Sequence, residues 1–287
     1  MNKIMIFVDS CSSVTKVDAE KVNIRIIPTL FNMDGKDYNP LSEDVISYQE
    51  FYGKLEDKMF CKTSCINPNV FVNRFEDALK EGYDVIYISL SSGLSASFNN
   101  ANLAKEILSG DYSNTIELID SRTGSVGIQV ILEKAIKMRD EGKTAKEIRE
   151  ALENNKINVY SLFTIGSLDH LRRGGRLSTV TAIVGTVLKI NPIICANKEG
   201  KLTTHSKHRG RRKAINALIE EIETNIVEGE TLYIGYTNNL EEAEFIEDYF
   251  VNKGMNVHKD YIDYTMGSHC GPRTIAVFFM SKKELEA

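Results

Sequence analysis

Hydroxyl side chains gather in four places, each directly after a short apolar run. Ile4-Met5-Ile6-Phe7-Val8 leads into Asp9-Ser10-Cys11-Ser12-Ser13. Val85-Ile86-Tyr87-Ile88 leads into Ser89-Leu90-Ser91-Ser92-Gly93-Leu94-Ser95. Ile116-Glu117-Leu118-Ile119 leads into Asp120-Ser121-Arg122-Thr123-Gly124, and the run over 160–165 ends in Gly166-Ser167. A further pair, Thr63-Ser64, stands just before Asn67-Pro68. Singly, each is an ordinary helix cap, because Ser, Thr and Asp accept the free N–H groups of a first turn. Together they describe a site. If the runs are strands of an open parallel sheet, all four clusters fall outside its carboxyl ends, where such sheets bind ligands. Helix N-termini gather there too, with unpaired N–H groups and partial positive charge. That combination suits a small anion, and neutral hydroxyls can hold one carboxylate without a buried cation.

Continuous apolar runs of this length suit strands buried on both faces. Helical patterns separate them. Asn67-Pro68 sets a favoured cap before a favoured first-turn proline, with Val70, Phe71, Phe75, Ala78 and Leu79 following at helical spacing. Helices are also predicted over 95–108, 124–138 and 144–152, the last opened by a capping box of Thr144 and Glu147. Strand–helix alternation predicts the α/β class, with a parallel sheet between helices over residues 1–158. Beyond it, Asn197-Lys198-Glu199-Gly200 reads as a hairpin turn between strands at 192–196 and 201–206. A helix over 211–223, a strand over 231–236, a helix over 240–252 and strands over 257–264 and 274–279 follow. Hairpins mixed with helices predict an α+β domain with a mixed sheet over 159–287, packed against the first domain.

The 287 residues suffice for two domains. A net charge of -5 argues against a general nucleic-acid binder, although His205 to Lys213 reads HSKHRGRRK against that trend. No apolar run reaches the ~18–20 residues of a membrane span, so no stable membrane insertion is expected. Met1-Asn2-Lys3-Ile4 passes straight into an apolar run without a cleavable leader, which predicts a cytoplasmic location. The five cysteines are scattered and read as free thiols, and Cys61-x-x-x-Cys65 has no second pair to complete a metal site. No metal and no cofactor are expected. Neither G-x-x-x-x-G-K-[ST] nor G-x-G-x-x-G occurs, which removes the common nucleotide loops. G-x-S-x-G is missing as well. His269 keeps open a serine-dependent acyl hydrolase or transferase built on Ser95 or Ser10. After Arg172-Arg173-Gly174-Gly175-Arg176 comes a nearly uncharged stretch to Ala196, either core or the wall of a long apolar pocket.

The order VDSCSS, TSCINP, SSGLSASFNNA, DSRTGSVG, LDHLRRGGRL, INPII and GSHCGP resembles the DegV family, from Asp9 to Pro272. Members resemble the fatty-acid-binding subunit of bacterial fatty acid kinase, often called FakB. The resemblance implies two domains with a long-chain fatty acid in a ligand tunnel between them. Its carboxylate would be held by Thr63 and Ser95, with Ser92 as the nearby alternative and His269 close to the head group. It also matches Arg176 and Arg209 to family arginines, and these, with Ser10 and Ser121, are candidate head-group or partner contacts. In kinase-partnered members the acid becomes an acyl phosphate on its carrier, with ATP bound by the partner kinase; His205 to Lys213 could then dock an acidic partner surface or a phosphate. A regulatory protein that only senses lipid is a further reading. Three positions depart from the family pattern: no proline follows Cys65 directly, Ser97-Phe98 replaces a commoner Thr-Tyr, and Arg273 replaces a small residue, which would put a charge near the head group.

Overall fold

A computed structural model describes residues 3–155, 158–176 and 190–284. Three sheets share the work. The first is parallel, in the order β2-β1-β6-β7, from β1 (Lys3–Asp9), β2 (Ile24–Ile27), β6 (Tyr83–Ser89) and β7 (Ile116–Asp120). Between the first two strands lies α1 (Lys16–Lys21). A small antiparallel sheet, β4-β3-β5, comes from β3 (Phe31–Met33), β4 (Lys36–Tyr38) and β5 (Cys61–Thr63), with α2 (Tyr48–Glu56) before the last. The third is a mixed sheet of six strands, β10-β9-β8-β13-β11-β12. These are β8 (Val159–Thr164), β9 (Ile190–Ala196), β10 (Leu202–Arg209), β11 (Leu232–Tyr236), β12 (Val257–Tyr261) and β13 (Ile275–Met280).

Layering follows from which faces are apolar. On one side of the parallel sheet, Met5, Phe7 and Tyr87 pack under α3 (Pro68–Lys80) and α4 (Ser97–Ile107). The other side, with Ile4, Ile6, Ile86 and Ile88, meets α5 (Gly127–Asp140) and α6 (Ala145–Asn155). The same cluster continues into Phe163, Ala276 and Phe278 of the mixed sheet, so α5 is buried between the sheets. The far face of the mixed sheet is covered by α8 (Arg211–Asn225) and α9 (Leu240–Val251). Two short helices complete the chain, α7 (Asp169–Arg173) and α10 (Tyr264–Cys270).

The caps read from sequence are present: Asn67 accepts the Asn69 N–H at 2.9 Å, and Thr144 and Glu147 bond reciprocally at 2.8–3.3 Å. Two readings need correction. The run over 160–165 is not a parallel strand; it is β8, antiparallel to β13 and β9. It is apolar on both faces because α5 and α8 cover it, which a parallel strand would share. The segment 257–264 ends as a strand at Tyr261, because Asp263 accepts the Thr265 and Met266 N–H groups and starts α10. The proposed apolar wall falls largely on residues 177–189, outside the described residues.

The β9–β10 turn seals the two large sheets together. Ser91 Oγ donates to the Gly200 carbonyl at 2.7 Å, and an Arg122 Nη1 donates to the Lys198 carbonyl. Gly200 has φ 72°, and a Cβ there would lie 2.1 Å from Ser91 Oγ. Gly200→Ala is expected to cost about 1–3 kcal/mol through overpacking, read as a lower denaturant midpoint at unchanged slope.

Candidate functional site

The C-terminal ends of the parallel strands are organised by two carboxylates. Asp9 is buried and accepts the Cys11 N–H (3.0 Å), the Tyr87 hydroxyl (3.0 Å) and the Leu90 N–H (2.9 Å). Burial raises its pKa against the lowering effect of those bonds. Asp120 accepts the Ser92 N–H at 2.9 Å and the Ser92 hydroxyl at 2.5 Å. These bonds shape the loops after β1, β6 and β7.

Behind those loops lies a mostly apolar cavity, part of it open to solvent. Thr63, Ser64, Ser95, Arg176 and His269 line it, as do Leu90, Leu171, Leu202, Ile262 and Met266. The mixed sheet contributes Ser161 and Phe163 from β8, and Thr274, Ala276 and Phe278 from β13 and its approach. These are alternate residues, so one face of the mixed sheet forms the wall.

Its polar side is tightly connected. Thr63 Oγ1 and His269 Nε2 are 2.8 Å apart, joining β5 to α10. An aromatic stack fixes that junction: Phe31, paired with Thr63 across the small sheet, lies 4.9 Å from Tyr264, which stacks on Tyr48 at 4.4 Å. The Tyr264 hydroxyl is held by the Ile46 carbonyl at 2.6 Å. Ser95 Oγ lies 3.0 Å from Ser97 Oγ, and Ser97 in turn accepts the Ile66 N–H. Arg176 spans the same edge, with Nε donating to the Leu94 carbonyl (3.1 Å) and Nη1 to the Gly174 carbonyl (2.6 Å).

Burial, then the charges of Arg176 and His170, depress the His269 pKa to about 4. The imidazole is therefore neutral at pH 7. Its Nδ1 is buried without a partner among the described residues, facing Gly174. A Cβ on Gly174 would sit 2.2 Å from that nitrogen. Gly174→Ala is expected to push the ring off Thr63 and cost about 1–3 kcal/mol through overpacking, read as a lower denaturant midpoint.

The DegV family model matches residues 3–282. A DegV domain-containing protein of Clostridium perfringens is 33% identical over 98% of each chain. The chain belongs to the DegV family. Among solved structures, a fatty-acid-binding DegV family protein of Thermus thermophilus superposes with a TM-score of 0.87, at 23% identity over 97% of this chain and 99% of that one. DegV of Bacillus subtilis, a fatty acid binding protein, gives 0.83 at 26% identity, over 97% and 99%.

In this DegV chain, the hydroxyl clusters that look alike in sequence separate in space. Thr63, Ser95, Arg176 and His269 share the cavity; Ser92, Ser10, Ser121 and Arg209 do not line it. Ser92 is exposed and engaged by Asp120. Ser10 accepts the Thr29 N–H at 2.9 Å, and Ser121 bonds to the Thr123 backbone, so both tie loops. Arg209 is exposed at the end of β10. Ser167, the fourth cluster, is exposed and accepts the Asp169 N–H. Arg273 lies outside the cavity too, which corrects its expected place near the head group. Sequence reasoning missed Ser161, Phe163, Ala276 and Phe278; their period-two alternation was the available signal. Among the described residues no group of three or more His, Cys, Asp or Glu could hold a metal, and no helix is long and apolar enough to cross a membrane.

Proposed function

We propose that this protein carries one long-chain fatty acid, with its carboxylate at Thr63, Ser95 and His269 and its tail along the wall formed by β8, β13 and α10. The observation that carries the reading is the hydrogen-bonded Thr63–His269 pair at the edge of an otherwise apolar cavity. A neutral His269 bearing its proton on Nε2 donates to Thr63 Oγ1. That leaves the Thr63 proton free for a carboxylate oxygen. The Ser95 hydroxyl supplies a second donor, and Arg176 adds positive charge nearby. A buried acyl tail contributes about 0.8 kcal/mol per methylene, so a long chain gains roughly 10 kcal/mol before binding costs. The head group then needs few bonds. The fatty-acid-binding family relatives support the same ligand class.

Carrying the acid is the protein's task in this reading, and a partner kinase would supply the phosphoryl group for an acyl phosphate. The two-domain division near residue 158 belongs to the same proposal, since the cavity is lined by the segments that follow the parallel strands and by one face of the mixed sheet. A serine–histidine hydrolase has less support. His269 Nε2 is engaged by Thr63, and no hydrogen bond joins Ser95 or Ser10 to His269 among the described residues. The test is mass spectrometry of lipid extracted from protein purified from bacteria. Stoichiometric acyl chains are expected; protein free of lipid that also fails to take up oleic acid would overturn the carrier reading. Purified protein that hydrolyses acyl esters would favour the enzyme instead.

A further inference from the structure

A second pocket opens on the surface beside α7 and α10 and shares no lining residue with the lipid cavity. It holds about 470 Å³, and Lys58, His170, Arg173 and Arg273 line it with Glu56, Asp169 and Ser167. The short helix α7 serves both sites: Leu171 faces the cavity, while Asp169, His170 and Arg173 face the pocket.

Its cations are presented rather than merely exposed. Arg273 has φ 58° and Lys58 φ 66°, a left-handed conformation that glycine adopts without strain and long side chains rarely do. Three separate elements hold Arg273 in that conformation. Its N–H donates to Asn238 Oδ1 at 2.8 Å, its carbonyl accepts from Arg211 Nη2 at 2.9 Å, and Gly166 leaves room for its side chain, where a Cβ would come within 3.1 Å of Arg273 Cβ. Arg211 is itself fixed by three bonds from its guanidinium to Glu242. Strain maintained by this many contacts points to use. Arg173, Arg273 and Lys58 form no ion pair among the described residues, and Asp169 is turned to Arg172 at 2.8 Å, leaving Glu56 as the opposing free charge.

We propose that this pocket binds a phosphate-bearing small molecule. Two guanidinium groups and an ammonium match a multiply charged anion with several acceptor oxygens, whereas the cavity offers mainly neutral donors suited to one carboxylate. A concave pocket with a braced arginine fits a small anion better than the convex acidic surface of another protein. The proposal goes beyond the lipid reading and does not depend on what fills the cavity.

The test is calorimetric titration of the full chain, loaded with oleic acid, with inorganic phosphate, pyrophosphate and ATP at constant ionic strength. Saturable one-site binding of pyrophosphate is expected, weakened at least tenfold in Arg273→Gly, which relieves the backbone, and in Arg173→Ala. Lys146→Ala removes one positive charge elsewhere and is expected to change nothing. ATP binding as tightly as pyrophosphate assigns recognition to the phosphates alone; ATP binding tenfold tighter assigns it to a nucleotide. Melting curves confirm that each variant is folded. No saturable binding, equal weakening in Lys146→Ala, or binding seen only without oleic acid would each overturn the proposal.

Discussion

Thr63→Val combined with Ser95→Ala is expected to release the proposed fatty acid, with retention falling by about 3–6 kcal/mol, since each hydrogen bond to a charged carboxylate contributes roughly 1.5–3 kcal/mol. Each single change is expected to weaken binding between about tenfold and a hundredfold. Valine keeps the shape of threonine, so the cavity stays filled. It also strips His269 Nε2 of its 2.8 Å partner, in a ring whose Nδ1 is already unpaired. Thr63→Val therefore also lowers the melting temperature, because an unpaired buried polar atom costs about 1–3 kcal/mol. Ser95→Ala is milder in this respect, since Ser97 still accepts the Ile66 N–H. Competitive titration with a fluorescent fatty acid separates the two effects. Unchanged retention in the double variant, with a native melting profile, would remove these hydroxyls as the anchor.

Physical reasons decide which parts of this arrangement are legible in the sequence. β1, β6 and β7 announce themselves because both their faces are covered. The same property made β8 look like one of them, since burial on two faces does not encode strand direction. β3, β4 and β5 have three residues each, too few for a periodic signal, yet β5 carries Thr63. α10 was hidden by Gly267, a poor helix former. That glycine is required, because a Cβ there would lie 2.3 Å from the Tyr52 hydroxyl, which donates to the Ile262 carbonyl. The hydroxyl clusters were visible as types but not as directions. Ser10 and Ser95 follow equivalent strands, and only the tertiary fold turns one into a loop tie and the other toward the cavity. The family resemblance selected Thr63, Ser95 and His269, whereas residue type and spacing alone left Ser10 and Ser121 equally eligible.

Two buried groups near this site titrate with opposite consequences, and exchanging either exposes the other. His269 has a pKa of about 4, below its ordinary 6.5, because burial and nearby positive charge disfavour the imidazolium. The unfolded chain binds that proton first, so stability is lost as pH falls from 6.5 toward 4. Asp263 is the reverse. Burial raises it from 3.8 to about 7, and its Oδ2 has no partner among the described residues. The folded chain keeps that proton while the unfolded chain ionises, so this contribution is complete below 3.8 and is lost as pH rises to about 7. Between about pH 4 and 6.5 the two proton linkages cancel. Asp263→Asn keeps the cap of α10, because asparagine is an equally good N-cap, and removes one linkage. Its stability is then expected to fall on acidification from pH 6.5 to 4.5, relative to the parent, by up to about 1.4 kcal/mol per pH unit. His269→Gln is expected to do the opposite and lose stability, relative to the parent, as pH rises over the same window. Asp9, also raised by burial, is present in all three proteins, so the comparison is made between them. Denaturant midpoints of lipid-free protein at pH 4.5, 5.5 and 6.5 measure both slopes. Parallel pH profiles for the parent and Asp263→Asn would mean that Asp263 ionises normally in the folded chain.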